Sequence, residues 1–306
     1  MINGLVNVYK EKGYTSFDVV AISRGIFGQR KIGHMGTLDP DAEGVLPICL
    51  GNATKLCDML SDKSKEYVAT FMLGKRTDTL DISGNVLEER KVTATREMLE
   101  KTLKTFVGGY EQIPPMYSAK WVDGQRLYDL ARQGREIERK PVFVKIDAIE
   151  LLSFDLPYVS IRVECGKGTY IRSLCEDIAS RCNELAVMTD LKRTKVMNFE
   201  IGNAYKISEL NELKEQGKLE EIVSPTDSFL TIYRAVNVKP EYRKVIDNGN
   251  RLYRKMLDYD FKLKDDEIVR VYNDSGKFTG LYTYSMKFNT LTPYKMFPEP
   301  VEEEKK

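Results

Sequence analysis

The sequence predicts an α+β protein that ends in a smaller β-rich domain, and three observations carry that prediction. Residues 159–165 alternate apolar and polar side chains, which is the period of a half-buried β-strand. Residues 171–182 place apolar side chains three and four positions apart, which is the period of an amphipathic helix. Beyond residue 229, short alternating runs are separated by Asn, Asp and Gly, which is typical of a small β-domain.

Composition and length agree with a folded protein of one large or two ordinary domains. The chain has 306 residues, of which 42% are hydrophobic and 30% are charged. No apolar run approaches the ~20 residues of a membrane span. The N-terminus lacks the basic segment followed by an apolar one that marks a secretory signal. We therefore expect a cytoplasmic protein that does not bind membranes.

The five cysteines predict buried free thiols in a reducing compartment. They stand at positions 49, 57, 165, 175 and 182, and none forms a Cys-x-x-Cys pair. A single histidine in the whole chain argues against a zinc site. The net charge of +1 leaves nucleic-acid binding open, because a local basic patch is enough for it.

The first predicted elements are a strand over residues 5–9 and a helix that begins at Thr15 or Ser16. Both residues are good helix caps, and Gly25 or Gly28 would end the helix. Residues 33–51 then hold four glycines and two prolines, which are too many for a helix or a central strand. We expect a loop there, followed by a buried strand over residues 45–50.

Asp39 stands at the centre of this loop, between Leu38 and Pro40. A carboxylate with an ordinary pKa near ~3.9 is ionised at neutral pH and can act as a nucleophile or base without a metal. Most Asp-Pro pairs, however, form turns in which the aspartate binds its own backbone. The residues alone leave both roles open.

Downstream, alternation predicts a strand over residues 65–73 with Tyr67 on its buried face. Helices are predicted over residues 95–106 and 127–133, and a charged helix runs from Ser208 to Gly217. The acidic residues between 74 and 84 fit no calcium-binding spacing. Arg172 lies off the apolar stripe in a first helical turn, where the helix dipole disfavours a cation. It is therefore either an exposed arginine or one with an assigned partner.

Three segments carry a resemblance to a known family. Gly33-His34-Met35-Gly36-Thr37-Leu38-Asp39-Pro40 resembles the active-site signature of the TruB family of tRNA pseudouridine synthases. Residues 168–172, Gly-Thr-Tyr-Ile-Arg, and residues 191–194, Leu-Lys-Arg-Thr, resemble two further motifs of that family. The similarity extends over nearly the whole chain.

The chain departs from the family pattern at three places. Glu11 stands where a proline is usual, Val187 stands where a histidine is common, and Met197-Asn198 replaces a glycine-containing turn. The proline would have fixed a backbone angle beside the signature loop. None of these positions carries the chemistry that the resemblance implies.

The resemblance implies a particular fold. Residues 1–224 would form an α+β pseudouridine-synthase domain, in which a mixed sheet is flanked by helices. Its insertion at about residues 110–145 would clasp the tRNA; seven basic residues lie between 120 and 145, a density that in most proteins marks only a solvated surface. Residues 229–296 would form a PUA-like β-barrel that binds RNA, followed by a loose charged tail over residues 297–306.

The resemblance also assigns roles to six residues. The catalytic residues would be Asp39, which starts the reaction, and Arg172, which pairs with it. The substrate-binding residues would be His34, Tyr67, Tyr170 and Leu191. The two tyrosines would cradle the target base, the leucine would wall the pocket, and the histidine would fill the space that the flipped nucleotide leaves.

The implied activity is isomerisation of the uridine at position 55, in the TψC loop of tRNA, to pseudouridine. The expected partner is the T-arm of tRNA, and we expect a monomer that needs no cofactor, metal or protein partner. A guide-RNA-dependent pseudouridine synthase shares the signature loop, although residues 112–134 favour an enzyme that acts alone on tRNA. A tRNA-folding chaperone without chemistry is the alternative from another class.

Overall fold

The computed structural model describes residues 1–60, 64–118, 120–122 and 124–298. Its helices are α1 (Ser16–Phe27), α2 (Cys57–Leu60), α3 (Arg96–Lys104), α4 (Leu127–Arg132), α5 (Ile171–Arg181), α6 (Ile207–Glu215) and α7 (Arg243–Asp247). Its first strands are β1 (Gly4–Lys10), β2 (Ile32–His34), β3 (Glu43–Leu50), β4 (Lys65–Leu73), β5 (Lys75–Thr77), β6 (Val86–Glu89), β7 (Tyr110–Gln112), β8 (Trp121–Val122), β9 (Gln125–Arg126) and β10 (Val142–Val144). The later strands are β11 (Ile146–Asp155), β12 (Tyr158–Cys165), β13 (Ala186–Val196), β14 (Phe199–Glu200), β15 (Arg234–Val238), β16 (Leu252–Tyr253), β17 (Leu257–Asp258), β18 (Ile268–Tyr272), β19 (Phe278–Ser285) and β20 (Thr290–Met296).

A mixed eight-stranded sheet forms the larger layer. Its main path is β1-β3-β13-β4-β12-β11, with β2 paired to β3 and β14 paired to β13. The β13–β3 pair is parallel, whereas the other pairs of this sheet are antiparallel. The predicted alternation of β4 is confirmed, because every second residue from Lys65 to Leu73 is buried. The predicted α+β fold is therefore present.

Helices cover the two faces of this sheet because successive strand residues point to opposite sides. Apolar residues of α3 and α5 pack against β4 and β12 in the largest hydrophobic cluster. On the other side of β1 and β3, residues of α1 and α6 pack against Val6, Val8 and Leu46. The loop between β2 and β3, which carries Asp39, is thus anchored at the edge of a well-packed core.

The last strands form a second, barrel-like sheet in the order β16-β20-β19-β18-β15-β17, with its own hydrophobic cluster. The segment that leads into it pairs with β1, since Leu5 N donates to Ser224 O at 2.9 Å and Ser224 N donates to Leu5 O at 2.8 Å. The β-rich C-terminal part is as predicted, and the domain boundaries themselves remain predictions. No helix within the described residues has the length and apolar character needed to cross a bilayer.

Three expectations need correction. Phe297, expected in a loose tail, is only 2% exposed and packs in a cluster with Leu5 and Leu281. Its N–H also donates to Thr279 O at 2.9 Å, so the tail does not begin at residue 297, and residues 299–306 lie outside the described ranges. Residues 33 and 34, expected in a loop, belong to β2 because they pair with the backbone of β3. Four of the cysteines are buried thiols, whereas Cys57 is only half-buried.

Candidate active site

The Asp39 loop is held on one side by Lys10, which lies on β1 and is fully buried. Its ammonium group donates to the carbonyl oxygens of Pro40 at 3.1 Å and Ala42 at 2.6 Å. Burial lowers the pKa of Lys10 to about 8, and the charge of Asp39 partly opposes this shift. A buried cation surrounded by carbonyl dipoles therefore fixes the second half of the loop.

Arg193, on β13, holds the first half of the loop in the same way. Its guanidinium is fully buried and donates to Gly36 O at 3.0 Å, to Thr37 O at 3.3 Å and to Val45 O at 2.7 Å. The backbones of Arg193 and Gly44 pair in parallel, and a Cβ at Gly44 would lie 2.2 Å from Arg193 O. This close approach requires glycine at position 44.

A third anchor comes from Ser16, in the first turn of α1. Its hydroxyl accepts a hydrogen bond from Leu38 N at 2.9 Å and lies 3.3 Å from Leu38 O. Thr15 caps this helix through the N–H of Asp18 at 3.0 Å, as the sequence predicts. The residue before Asp39 is therefore fixed by a helix terminus that is itself capped.

Asp39 and Arg172 form an ion pair, with Asp39 Oδ2 3.1 Å from Arg172 Nη2. The Arg172 side chain is only 8% exposed, whereas that of Asp39 is 46% exposed. Arg172 also donates to Tyr117 O at 2.7 Å and to Thr79 O at 3.1 Å. The interpretation of Arg172 as an exposed surface arginine is therefore wrong, and its fixed guanidinium orients a carboxylate that solvent can reach.

A second carboxylate, Asp81, approaches the same guanidinium at 3.5 Å. Its other oxygen accepts from Thr79 Oγ1 at 2.8 Å and from the N–H of Ser83 at 3.1 Å. Asp81 was not predicted as a site residue, because the acidic residues between positions 74 and 84 were considered only as possible calcium ligands. Its distance of 91 positions from Arg172 left no local signal of the contact.

Asp39 and Arg172 line two neighbouring cavities. One cavity, of about 310 Å³, is lined by residues that include five of the six predicted site residues: Asp39, Tyr67, Tyr170, Arg172 and Leu191. Basic side chains of Lys65, Lys167 and Arg193 also line it. The other cavity, of about 410 Å³, has Asp81 and Asp190 in its wall. The first cavity is within the size range of pockets that hold small ligands, and it combines aromatic walls with positive charge.

The two tyrosines of this cavity are positioned by different elements. Tyr67 lies on the buried face of β4, is 8% exposed and has its pKa raised by burial. Tyr170 precedes α5, and its backbone is bound on both sides by the side chain of Gln112. Tyr170 N donates to Gln112 Oε1 at 2.8 Å, and Gln112 Nε2 donates to Tyr170 O at 3.1 Å. Gln112 is a further residue that the sequence did not single out.

His34 stands apart from this group. It is not among the described residues that line either cavity beside Asp39, and it lies in an open groove on the α1 side of the loop. The ring of Phe17 meets it edge-on, with centroids 5.9 Å apart. Burial and the charge of Arg193 lower the pKa of His34 below its ordinary value, which favours the neutral ring. Among the described residues, no cluster of His, Cys, Asp and Glu could hold a metal ion.

Two family models match the chain. Residues 24–171 match the TruB family pseudouridylate synthase N-terminal domain, and residues 172–231 match the tRNA pseudouridylate synthase B C-terminal domain.

Curated relatives are similar over most of their length. A protein from Lachnoclostridium phytofermentans named tRNA pseudouridine synthase B is 48% identical, over 97% of this chain and all of the relative. A protein of the same name from Clostridium tetani is 43% identical, over 92% of this chain and 95% of the relative.

Solved structures share the fold. A protein from an H/ACA RNP bound to a substrate RNA containing 2′-deoxyuridine aligns with a TM-score of 0.73, at 23% identity, over 97% of this chain and 85% of the other. A chain of a Cbf5-Nop10-Gar1 complex aligns with a TM-score of 0.71, at 24% identity, over 97% and 87%. At such identities the likeness concerns the fold alone, whereas the family models and the curated relatives concern the sequence itself. The chain belongs to the TruB family of pseudouridylate synthases.

Proposed function

We propose that this protein isomerises a uridine of tRNA to pseudouridine, at position 55 in the TψC loop, and that Asp39 starts the reaction. The observation that carries the proposal is the Asp39–Arg172 pair in the wall of a cavity lined by Tyr67, Tyr170 and Leu191. The shared name of the curated relatives, tRNA pseudouridine synthase B, supports tRNA as the substrate.

The reaction breaks the bond between ribose C1′ and uracil N1 and forms a bond from C1′ to C5. The proton on C5 is lost to solvent and N1 gains one, so atoms and electrons balance without an oxidant or cofactor. A carboxylate at the position of Asp39 can attack C1′, attack the base or remove a ribose proton. Arg172, held by Tyr117 O and Thr79 O, keeps that carboxylate oriented in each case.

The base must leave the RNA stack before its glycosidic bond can be reached. Aromatic side chains offset this cost, since stacking one base on an aromatic ring is worth ~1–3 kcal/mol. Tyr67 and Tyr170 provide such rings, and Leu191 closes the apolar side of the cavity. Lys65 and Lys167, at the same cavity, provide positive charge for the neighbouring phosphate.

We further propose that residues 1–224 carry the chemistry, that residues 229–296 form a PUA-like RNA-binding domain, and that the protein works as a cytoplasmic monomer. A guide-dependent synthase remains the second candidate, because the solved structures with this fold include an H/ACA RNP. In that case the purified chain would be inactive on tRNA without a guide.

The test is release of tritium from a tRNA transcript labelled at uridine C5, with the purified chain alone. We expect release by the unaltered protein, none by Asp39→Asn, and normal release by the control Asp155→Asn, which lies at the exposed end of β11. Absence of release by the unaltered protein, together with tight tRNA binding, would contradict the proposal and favour a guide-dependent enzyme or a chaperone. Release by Asp39→Asn at a normal rate would contradict the role of Asp39.

A further inference from the structure

We propose that the groove between α1 and β2 is a second RNA-binding subsite, in which Phe17 stacks on a base and three basic side chains bind the adjoining phosphates. The proposal rests on the proposed function, because it extends the surface that the substrate RNA covers. The groove has a volume of about 450 Å³, and its described lining residues are all different from those of the Tyr67 cavity.

Charge is the first observation. The groove is lined by the side chains of Arg24, Arg30 and Lys31, and none of its described lining residues is acidic. Within the described ranges, no acidic side chain pairs with any of the three. The positive field extends further, since the pKa of Lys55 is lowered first by burial and then by the charges of Lys31 and Lys295. A group of cations without acidic partners, on an enzyme that acts on RNA, is suited to bind the phosphates of an RNA strand.

An exposed aromatic ring is the second observation. Phe17 is 72% exposed, although it lies on an amphipathic helix whose neighbouring residues Val19 and Val20 are buried. Its ring lies nearly perpendicular to that of His34, which leaves two aromatic groups side by side in the groove. An aromatic face bordered by cations is the arrangement with which proteins bind unpaired bases without reading sequence.

Continuity with the active loop is the third observation. Ser16, the residue before Phe17, is hydrogen-bonded to the backbone of Leu38, the residue before Asp39. The groove and the catalytic carboxylate are therefore fixed to the same short segment. An RNA loop that places one nucleotide at Asp39 would bring its neighbouring nucleotides over this groove.

The electrostatic part is tested with a fluorescent T-arm stem–loop RNA, whose anisotropy is titrated with the full chain over a series of salt concentrations. The double variant Arg24→Gln/Lys31→Gln should reduce the slope of log K against log salt by about 1.4 to 1.8, because each phosphate contact contributes ~0.7 to ~0.9. The matched control is Lys101→Gln/Lys104→Gln, which removes two exposed cations from α3. Equal slopes for the two double variants would overturn the phosphate contacts.

The stacking part is tested with Phe17→Leu and Phe17→Tyr in the same assay. Leucine should weaken binding about tenfold with an unchanged salt slope, and tyrosine should restore it, because only tyrosine keeps a ring for the base. Normal affinity with leucine would overturn the stacking role. Since Phe17 is exposed, circular dichroism should show the same fold in both variants. The assay reads binding without turnover, so failure of the proposed chemistry would appear separately, as absent tritium release by the unaltered protein.

Discussion

Replacing Gln112 with methionine removes the two hydrogen bonds that hold the backbone of Tyr170, while keeping a side chain of similar length. Gln112 is 1% exposed, and its amide is also 2.6 Å from the hydroxyl of Tyr110. Tyr170 is the residue before α5, and its side chain forms no capping bond to that helix. Gln112 therefore fixes the chain at the point from which Arg172 projects.

The size of the effect follows from these contacts. Each lost hydrogen bond contributes about 0.5–1.5 kcal/mol, and leaving the partners unpaired adds to this where water cannot reach them. Tyr170 is only half-buried, so we expect a total loss of about 2–3 kcal/mol in the free energy of unfolding. A shift of Arg172 of about 1 Å can reduce the rate of the chemical step about 10²-fold.

The assay is single-turnover tritium release at saturating tRNA, together with a separate tRNA binding measurement. We expect Gln112→Met to lower the single-turnover rate about 10²-fold with little change in affinity, and urea unfolding to show the stability loss. The matched control is Gln216→Met, an exposed glutamine just after α6. If the rate stayed normal while stability fell, Gln112 would be structural only, and its positioning of Arg172 would be refuted.

Two further substitutions test the surroundings of this contact. Arg172→Lys should lower the single-turnover rate at least about 10²-fold with unchanged tRNA affinity. The reason is that a lysine cannot reach Asp39, Tyr117 O and Thr79 O together. A near-normal rate would contradict the pairing of Arg172 with Asp39. Burial raises the pKa of Asp177 to about 6, so the protein gains stability from this group as the pH falls from 7 towards 4. Asp177→Asn should keep the bond from Tyr110. It should raise the free energy of unfolding by about 3 kcal/mol at pH 7.5, because the pKa of Asp177 lies about two units above its ordinary value, and the difference should vanish below pH ~4. Thermal unfolding at several pH values would show a constant difference if the pKa were ordinary.

The sequence predicted those strands and helices that have one buried face, because the spacing of their apolar residues follows directly from that burial. β4 and β12 each have one buried face, and a half-buried sheet imposes a period of two on the sequence. The helix of Arg172 was visible for the same reason, because its apolar stripe packs on the sheet. Phe297 was misplaced because its burial depends on β1 and β19, which lie far from it in the chain.

The residues around Asp39 were only partly predictable, because their contacts join distant positions. The signature loop and the Arg172 motif could be recognised as strings of residues. Asp81 and Gln112 could not be recognised in this way, because each contacts a residue far away in the chain and such a contact leaves no periodic pattern in the sequence. The burial of Lys10 and Arg193 was not predicted, because charged residues usually lie on the surface.

The burial of Lys10 and Arg193 explains why the Asp39 loop can be rigid although it has little regular structure. Burying an ammonium or a guanidinium is costly unless hydrogen bonds compensate for the lost water. Here the compensation comes from backbone carbonyls of the loop, which would otherwise be unpaired themselves. The cations and the loop therefore stabilise each other, and neither arrangement is favourable alone. Of the three basic side chains around this loop, Arg172 forms an ion pair with Asp39, whereas Lys10 and Arg193 bind backbone carbonyls of the loop and leave the other face of the carboxylate exposed.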